Sequence, residues 1–366
     1  MFDIRGLFAG EKQLAGLDIG SSSIKLAEIQ DTSKGLILSR FSQMPLPKGV
    51  IVDGVIVEPE VLTATIKELY KKSGCKRRKI VTSISGHAVI VKKVAFAHMG
   101  EAELFELIHD EAEKYLPFEN AATVGFDCQI LGDHLYNPSQ MEVLLVAAKR
   151  EIIDDYTKSI ETAGLIPVIM DVDSFAIETL YEENYEFEED DVAVLVNIGA
   201  SITNLNAVKG GGSIFIRDIT LGGNDVTRAI ADHLNLPFEE AEKAKIDGLG
   251  NDEQARKLFR DRLIGYTDPI CTEIERSVDY FRSTFGVEKI KQILLSGGGA
   301  MLPGITANLS QRLGIETEII NPFKKIACNR NILDKETAAL VGPLAAVGVG
   351  LALRRLGDKL MRADFI

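Results

Sequence analysis

Apolar and β-branched residues fall in short blocks along this chain, and small or charged residues break them at intervals. Residues 14–19, 24–30 and 36–44 read as three consecutive strands, with turns at Gly20-Ser21 and Ser33-Lys34-Gly35 and a stop at Pro45 and Pro47. Glu58, Pro59 and Glu60 suit the first turn of a helix that the pattern carries to about residue 72, before Gly74. Residues 79–85 form the next strand. From Val89 to Gly164 the pattern restarts on a smaller scale, with strand 89–96, helix 101–115 stopped by Pro117, strands near 126–131 and 142–148, and helix 150–162. This predicts a compact α+β subdomain inserted into the first half. Strand 167–171 and helix 174–182 follow.

The stretch 182–191 holds seven Asp or Glu in ten residues and reads as an exposed loop at the boundary between halves. Beyond it come strands 192–198, 202–209 and 213–220, with turns at Gly199-Ala200 and Gly210-Gly211-Gly212. Helical patterning covers 225–234, 239–245 and 252–285. Strand 290–296 runs into Gly297-Gly298-Gly299, then come helix 305–313, strand 316–320 and an apolar helix over about 335–355. The second half therefore opens as the first does. Leu17-Asp18-Ile19-Gly20-Ser21-Ser22-Ser23-Ile24-Lys25-Leu26 reads like Val196-Asn197-Ile198-Gly199-Ala200-Ser201-Ile202-Thr203-Asn204-Leu205. Each is a strand, a tight small-residue turn rich in backbone N–H groups, and a second strand. Such turns wrap phosphates, so the pair predicts a duplicated fold that grips one polyphosphate from both sides.

The 366 residues allow two or three domains, and a 46 % hydrophobic, 26 % charged composition is that of a globular protein. A net charge of −13 argues against wrapping nucleic acid. The basic run Lys76-Arg77-Arg78-Lys79 is short and reads as a solvated loop. Cys75, Cys128, Cys271 and Cys328 are widely spaced without a C-x-x-C pair, which predicts free thiols in a reducing compartment. Residues 1–12 carry Asp3, Arg5, Glu11 and Lys12 and no apolar run of signal-peptide length. The uncharged run 337–353 contains Pro343 and three glycines and reads as a buried helix near the cleft, not a membrane span. A cytoplasmic protein is expected.

Asp18 ends its strand beside the first turn, where a carboxylate can hold Mg²⁺ next to phosphates, directly or through water. Gly20 lets the backbone approach, Ser21, Ser22 and Ser23 add donors, and Lys25 can neutralise a phosphate. In the second hairpin Gly199, Ser201 and Thr203 stand in matching places, but Asn197 replaces the acid and lacks the charge that polarises a water molecule. At Gly297-Gly298-Gly299 the missing Cβ atoms let a base and ribose lie against main chain, and Pro303-Gly304 opens the next helix. Glu242 and Lys245, three apart on one helix face, fit either ribose contacts or an ordinary helical ion pair.

The order of these pieces resembles the actin/Hsp70/sugar-kinase ATPase fold. Within it the chain is similar to the PilM family, the cytoplasmic actin-like proteins of type IV pilus assembly. The first hairpin, Asp171-Val172-Asp173-Ser174-Phe175-Ala176 and Gly348-Val349-Gly350-Leu351-Ala352-Leu353-Arg354 carry that resemblance. It implies an α/β protein with two lobes of duplicated βββαβα type and an inserted subdomain placed as in the division protein FtsA. It implies ATP and Mg²⁺ between the lobes. The first phosphate loop would be Asp18, Gly20, Ser21, Ser22, Ser23 and Lys25, with Asp18 toward the metal. The second would be Gly199, Ala200, Ser201 and Thr203. Glu242 and Lys245 would meet the ribose, and Gly297, Gly298, Gly299 and Met301 the adenosine; Asn197, Gly222 and Gly223 complete the cofactor set. Asp173 falls where relatives position the attacking water, and it also suits the N-cap of helix 174–182. The implied partner is the N-terminal cytoplasmic peptide of the inner-membrane protein PilN, with PilO behind it and the pilus motor and platform proteins around it. Association with the inner membrane would then run through partners, and a homo-oligomer is allowed.

The expected organisation is a first-lobe core at 1–88, the inserted subdomain at 89–164, and a completing first-lobe helix region at 165–190. A second lobe at 191–334, with a helical insert over 225–288, and a C-terminal helix at 335–366 that packs back on the first lobe complete it. Val94, Phe96, Phe118 and Phe126 of the subdomain line a peptide groove or form its own core. The leading expectation is a nucleotide-gated adaptor, at most a slow ATPase, and it competes with a small-molecule kinase that would need a sugar pocket. A division filament would need an amphipathic anchor, and residues 356–366 are a short tail.

Overall fold

The computed structural model describes residues 14–86, 89–115, 123–134, 137–250, 252–329 and 332–354. Two sheets share one topology. In the first, strands Ala15–Ile19, Ser23–Thr32 and Gly35–Pro45 form an antiparallel meander. Lys79–Ile84 then lies parallel to the first strand, and Ile166–Val172 lies parallel to that one. In the second sheet Val192–Ile198, Thr203–Lys209 and Gly212–Ile219 form the meander, and Gln292–Ser296 and Thr317–Ile319 are added in parallel on the far side. Numbering strands within each sheet, both read 3-2-1-4-5; the short strand Ala327–Cys328 extends only the first. The duplication foreseen from the hairpins is thus present in the whole connectivity. The central strands Ala15–Ile19 and Val192–Ile198 are buried at every position. A strand covered on both faces needs continuous apolar residues, which explains why neither alternates in sequence.

A separate three-stranded antiparallel sheet has Gln140–Lys149 between Val89–Ala97 and Val124–Asp133. Phe96 is buried there with Leu104, Ile108, Val143 and Leu145, and Val94 and Phe126 pack against them. These three candidates therefore serve the core; Phe118 lies outside the described residues, as do the opening residues 1–12 and the tail 356–366.

The helix Lys335–Leu353 begins at Asp334, which accepts a hydrogen bond from the Thr337 amide at 2.8 Å. Its apolar window Glu336–Leu353 is long enough to cross a membrane, but 61 % of it is buried inside the protein. Glycine brings it close to the first lobe. A Cβ at Gly350 would lie 1.9 Å from the Ala176 carbonyl oxygen, and one at Gly16 would lie 2.2 Å from that of Gly348. The helix therefore packs directly against the central strand Ala15–Ile19 and the helix Asp173–Asn184.

Three local expectations need correction. The acidic stretch is not wholly exposed, because Tyr185 is buried and stacks on Tyr181 at 5.4 Å, with Phe187 stacking on the same ring at 5.2 Å. Aromatic burial holds this segment despite its charge. The basic run is not simply solvated: Arg77 Nε donates to the buried Glu28 carboxylate at 2.6 Å and Arg78 to the Gly164 carbonyl at 2.7 Å. Asp173 is the first residue of its helix and not the N-cap, which is Val172. Its carboxylate instead accepts from Ser83 Oγ at 2.5 Å.

Candidate functional site

The two meander tips face each other across one cleft of about 1040 Å³. Strand ends set this geometry. Asp18 and Lys25 are register partners beside the first turn, as Asn197 and Asn204 are beside the second. Lys25 Nζ reaches Asp18 at 3.0 Å, with both side chains nearly buried. At the matching place the Asn197 amide donates to Asn204 Oδ1 at 3.0 Å. One jaw thus carries a buried ion pair and the other a neutral amide pair. The turns touch at their tips, where the Ser21 and Ser201 hydroxyls lie 3.0 Å apart. Asn224 Nδ2 also donates to Ser201 Oγ, at 3.2 Å.

Asp18, Gly20, Ser21, Ser22, Ser23, Lys25, Asp173, Asn197, Gly199, Ala200, Ser201, Gly223, Glu242, Lys245, Gly297, Gly298, Gly299 and Met301 all line this cleft. Thr203 and Gly222 stand just behind it. The Thr203 hydroxyl donates to the Leu221 carbonyl at 2.8 Å, and Gly222 packs against the Ala200 carbonyl. Beside the second sheet, Gln292–Ser296 leads into a 3-10 turn at Gly298–Met301. Gly297 has φ +80°, and a Cβ there would come 2.4 Å from the Ile198 carbonyl oxygen. Its amide donates to Pro343 O at 2.8 Å, tying the turn to the C-terminal helix. Lys245 pairs with Glu242 at 2.7 Å and donates to the Gly223 carbonyl and Thr227 Oγ1. The ion-pair reading of this helix face is correct, and both residues still border the cleft.

Asp173 is a strongly perturbed carboxylate. Burial, then the Asp18 charge, raise its pKa to about 6, against the stabilising Ser83 and Ser85 hydroxyls; Asp218 adds to the rise. A carboxyl titrating there is poised to accept a proton near neutrality. Burial, Asp173 and Asp18 also push the Tyr156 hydroxyl well above its usual range.

Among the described residues no three His, Cys, Asp or Glu side chains group as a metal cage. Mg²⁺ commonly takes one or two carboxylates and completes its octahedron with phosphate oxygens and water. Asp18 and Asp173 on one cleft wall fit that mode only when phosphates share it.

Sequence reasoning missed Tyr156, Asn204, Asn224 and the Lys48–Phe238 pair. Lys48 Nζ lies 3.7 Å from the Phe238 ring centroid, at another point where the two halves meet over the cleft. Asn204 was findable, because the duplicated hairpin sets it opposite Asn197 as Lys25 is set opposite Asp18.

Comparisons with known proteins give the same picture. FtsA of Enterococcus hirae is 20 % identical over 348 residues, covering 84 % of this chain and 78 % of its own. MreB5 of Spiroplasma citri bound to ADP superimposes with a TM-score of 0.51 at 13 % identity, over 93 % of this chain and 94 % of that one. The ethanolamine utilization protein EutJ of Carboxydothermus hydrogenoformans gives 0.57 at 16 %, over 94 % and 90 %. These likenesses establish the actin-like ATPase fold. A solved PilM-PilN type IV pilus biogenesis complex contains a chain 30 % identical, with a TM-score of 0.79, over 93 % of this chain and 98 % of that one. The family model of type IV pilus assembly protein PilM matches residues 16–356. With its duplicated sheets and facing hairpin turns, the chain belongs to the PilM family of type IV pilus assembly proteins.

Proposed function

We propose that this chain is an ATP-gated adaptor of the type IV pilus machinery. It takes ATP with Mg²⁺ in the cleft and binds the N-terminal cytoplasmic peptide of a PilN-type inner-membrane protein. Through that peptide it sits at the cytoplasmic face of the membrane. The observation that carries the reading is the approach of two like turns, one from each like-folded sheet, with Ser21 and Ser201 in contact. A triphosphate between them is held by amides and hydroxyls from both sides, so its presence favours one relation of the lobes over another.

Ser21, Ser22 and Ser23 line the phosphate path on one side and Gly199, Ala200 and Ser201 on the other. Lys25 supplies positive charge beside Asp18. Gly297, Gly298 and Gly299 leave room for the flat base and ribose, with Lys245 and Glu242 at the ribose edge. When bound, Mg²⁺ would neutralise phosphate charge next to Asp18. Asp173 is the group that can take a proton from an attacking water. Turnover is expected to be slow, because Asn197 brings no second carboxylate to the phosphate side.

The test is calorimetry of the whole chain with Mg²⁺–ATP and with a synthetic PilN N-terminal peptide, separately and together. The expected result is binding of each, with each ligand changing the affinity for the other by the same factor. An absence of nucleotide binding would overturn the cleft assignment, and independent binding would overturn the gating. A division filament predicts cosedimenting polymers, and a small-molecule kinase predicts rapid ADP release that depends on an acceptor.

A further inference from the structure

The second hairpin ends in a hydrogen-bonded chain that crosses from one lobe to the other. Asn197 Oδ1 accepts from Ser296 Oγ at 3.3 Å, and Asn197 Nδ2 donates to Asn204 Oδ1 at 3.0 Å. Asn204 Nδ2 donates to Asp218 Oδ1 at 2.8 Å, and Asp218 Oδ2 accepts from the Gly86 amide at 2.6 Å. Asn197 and Asn204 are buried. Gly86 comes two residues after the strand Lys79–Ile84 and three before Val89, where Val89–Ala97 begins the three-stranded sheet. It also lies against the second turn, since a Cβ at Gly86 would stand 2.5 Å from Ile202 Cδ1.

The direction of this chain is dictated by chemistry. A carboxylate only accepts, so Asn204 must turn its NH₂ toward Asp218 and its oxygen toward residue 197. Residue 197 must therefore donate. Asparagine can do so and aspartate cannot. An aspartate at 197 would draw the Asn204 NH₂ to itself and leave the Asn204 oxygen facing the Asp218 carboxylate, two acceptors in a partly buried place.

We infer that Asn197, Asn204 and Asp218 form a directional relay that ties the second phosphate-facing turn to the Gly86 segment leading into the inserted three-stranded sheet. Asp218 and Asn204 are positioning residues, and Asn197 sets the polarity of the relay. Its neutral side chain is then a structural requirement of the coupling, whatever it does to turnover. The nucleotide part of this inference rests on the reading of the cleft given above. The polarity itself does not.

The experiment is amide hydrogen exchange at residues 86–97 in the wild type, Asn197→Asp, Asp218→Asn and the double variant, each with and without Mg²⁺–ATP. In Asn197→Asp the Gly86 amide should lose roughly tenfold of its protection, as the Asp218 carboxylate, repelled by the Asn204 oxygen, loosens its partly buried hydrogen bond from Gly86. In N197D/D218N the chain is rebuilt in reverse. The carboxylate introduced at 197 accepts from the Asn204 NH₂, and the Asn204 oxygen accepts from the amide introduced at 218. The oxygen of that amide still accepts from Gly86. Protection should return to within about threefold of wild type. Asp218→Asn alone should stay close to wild type, because Asn204 and Asn197 can both flip and Ser296 Oγ can accept. If Asn197→Asp does not fold, a folded double variant supports the relay. Unaltered Gly86 protection in Asn197→Asp, or a double variant no better than Asn197→Asp, overturns it. Failure of the wild type to bind Mg²⁺–ATP in a parallel titration would instead remove the nucleotide reading and leave the exchange comparison standing.

Discussion

Ser21 and Ser201 stand 180 positions apart in sequence, and their hydroxyls meet at 3.0 Å across the cleft. Each belongs to the turn of a hairpin that its own sheet holds in place. Ser201→Ala removes a group shared by Ser21 and Asn224 while leaving the backbone amides intact. The expected outcome is roughly three- to tenfold weaker ATP binding, the worth of one hydrogen bond, with a change in Tm of only a few degrees. Calorimetry and thermal unfolding on the same sample check both.

Lys25→Ala strands the Asp18 carboxylate in a nearly buried site. Breaking such a pair from one side costs about 3 kcal/mol, more than the pair itself contributes. The double variant Asp18→Ala/Lys25→Ala should therefore be more stable than Lys25→Ala alone, although it lacks more atoms. Denaturant unfolding of the two single variants and the double variant gives the coupling directly.

Asp173 has its pKa raised to about 6 in the folded protein, first by burial and then by Asp18. An unfolded carboxyl titrates near its ordinary value of 3.8. Between these values the native state holds more protons than the unfolded state, so stability is fully present below the lower value and is lost as pH rises through about 6. The loss is on the order of 3 kcal/mol. Asp173→Asn should flatten that part of the stability profile and raise Tm at pH 7. Any slow ATP hydrolysis should fall with the same substitution, since the proton acceptor is gone.

Gly350→Ala would place a Cβ 1.9 Å from the Ala176 carbonyl oxygen, and both partners are backbone of packed helices. The helix must move away from Asp173–Asn184, at a cost of about 3 kcal/mol or more. A drop in Tm of many degrees is expected, while Gly265→Ala, inside the helix Glu253–Phe285 with nothing within 4 Å, serves as the control for a helical glycine substitution.

Strands, turns and the repeated hairpin were legible because central strands need unbroken apolar runs and turns need small residues. The approach of Gly20, Gly199 and Gly297 to one cleft could be expected from their like surroundings. What sequence did not reveal depends on registers and on the far lobe. Asp218 looks like any polar position on a strand, yet the register sets it beside Asn204, and packing of the lobes brings Gly86 to it. The acidic stretch was misjudged because charges were weighed without Tyr185 and Phe187, which find Tyr181 only through tertiary packing. Arg77 likewise gained its role only when Glu28 was buried next to it.

The unequal jaws have an electrical consequence. A hairpin was built twice with one backbone plan, yet only one copy keeps opposite charges at its tip, Asp18 and Lys25 against Asn197 and Asn204. The gap between them therefore has a polarity of its own. A guest that carries both a cation and an anionic tail meets a different field on each wall, and it settles in one sense and not in its mirror.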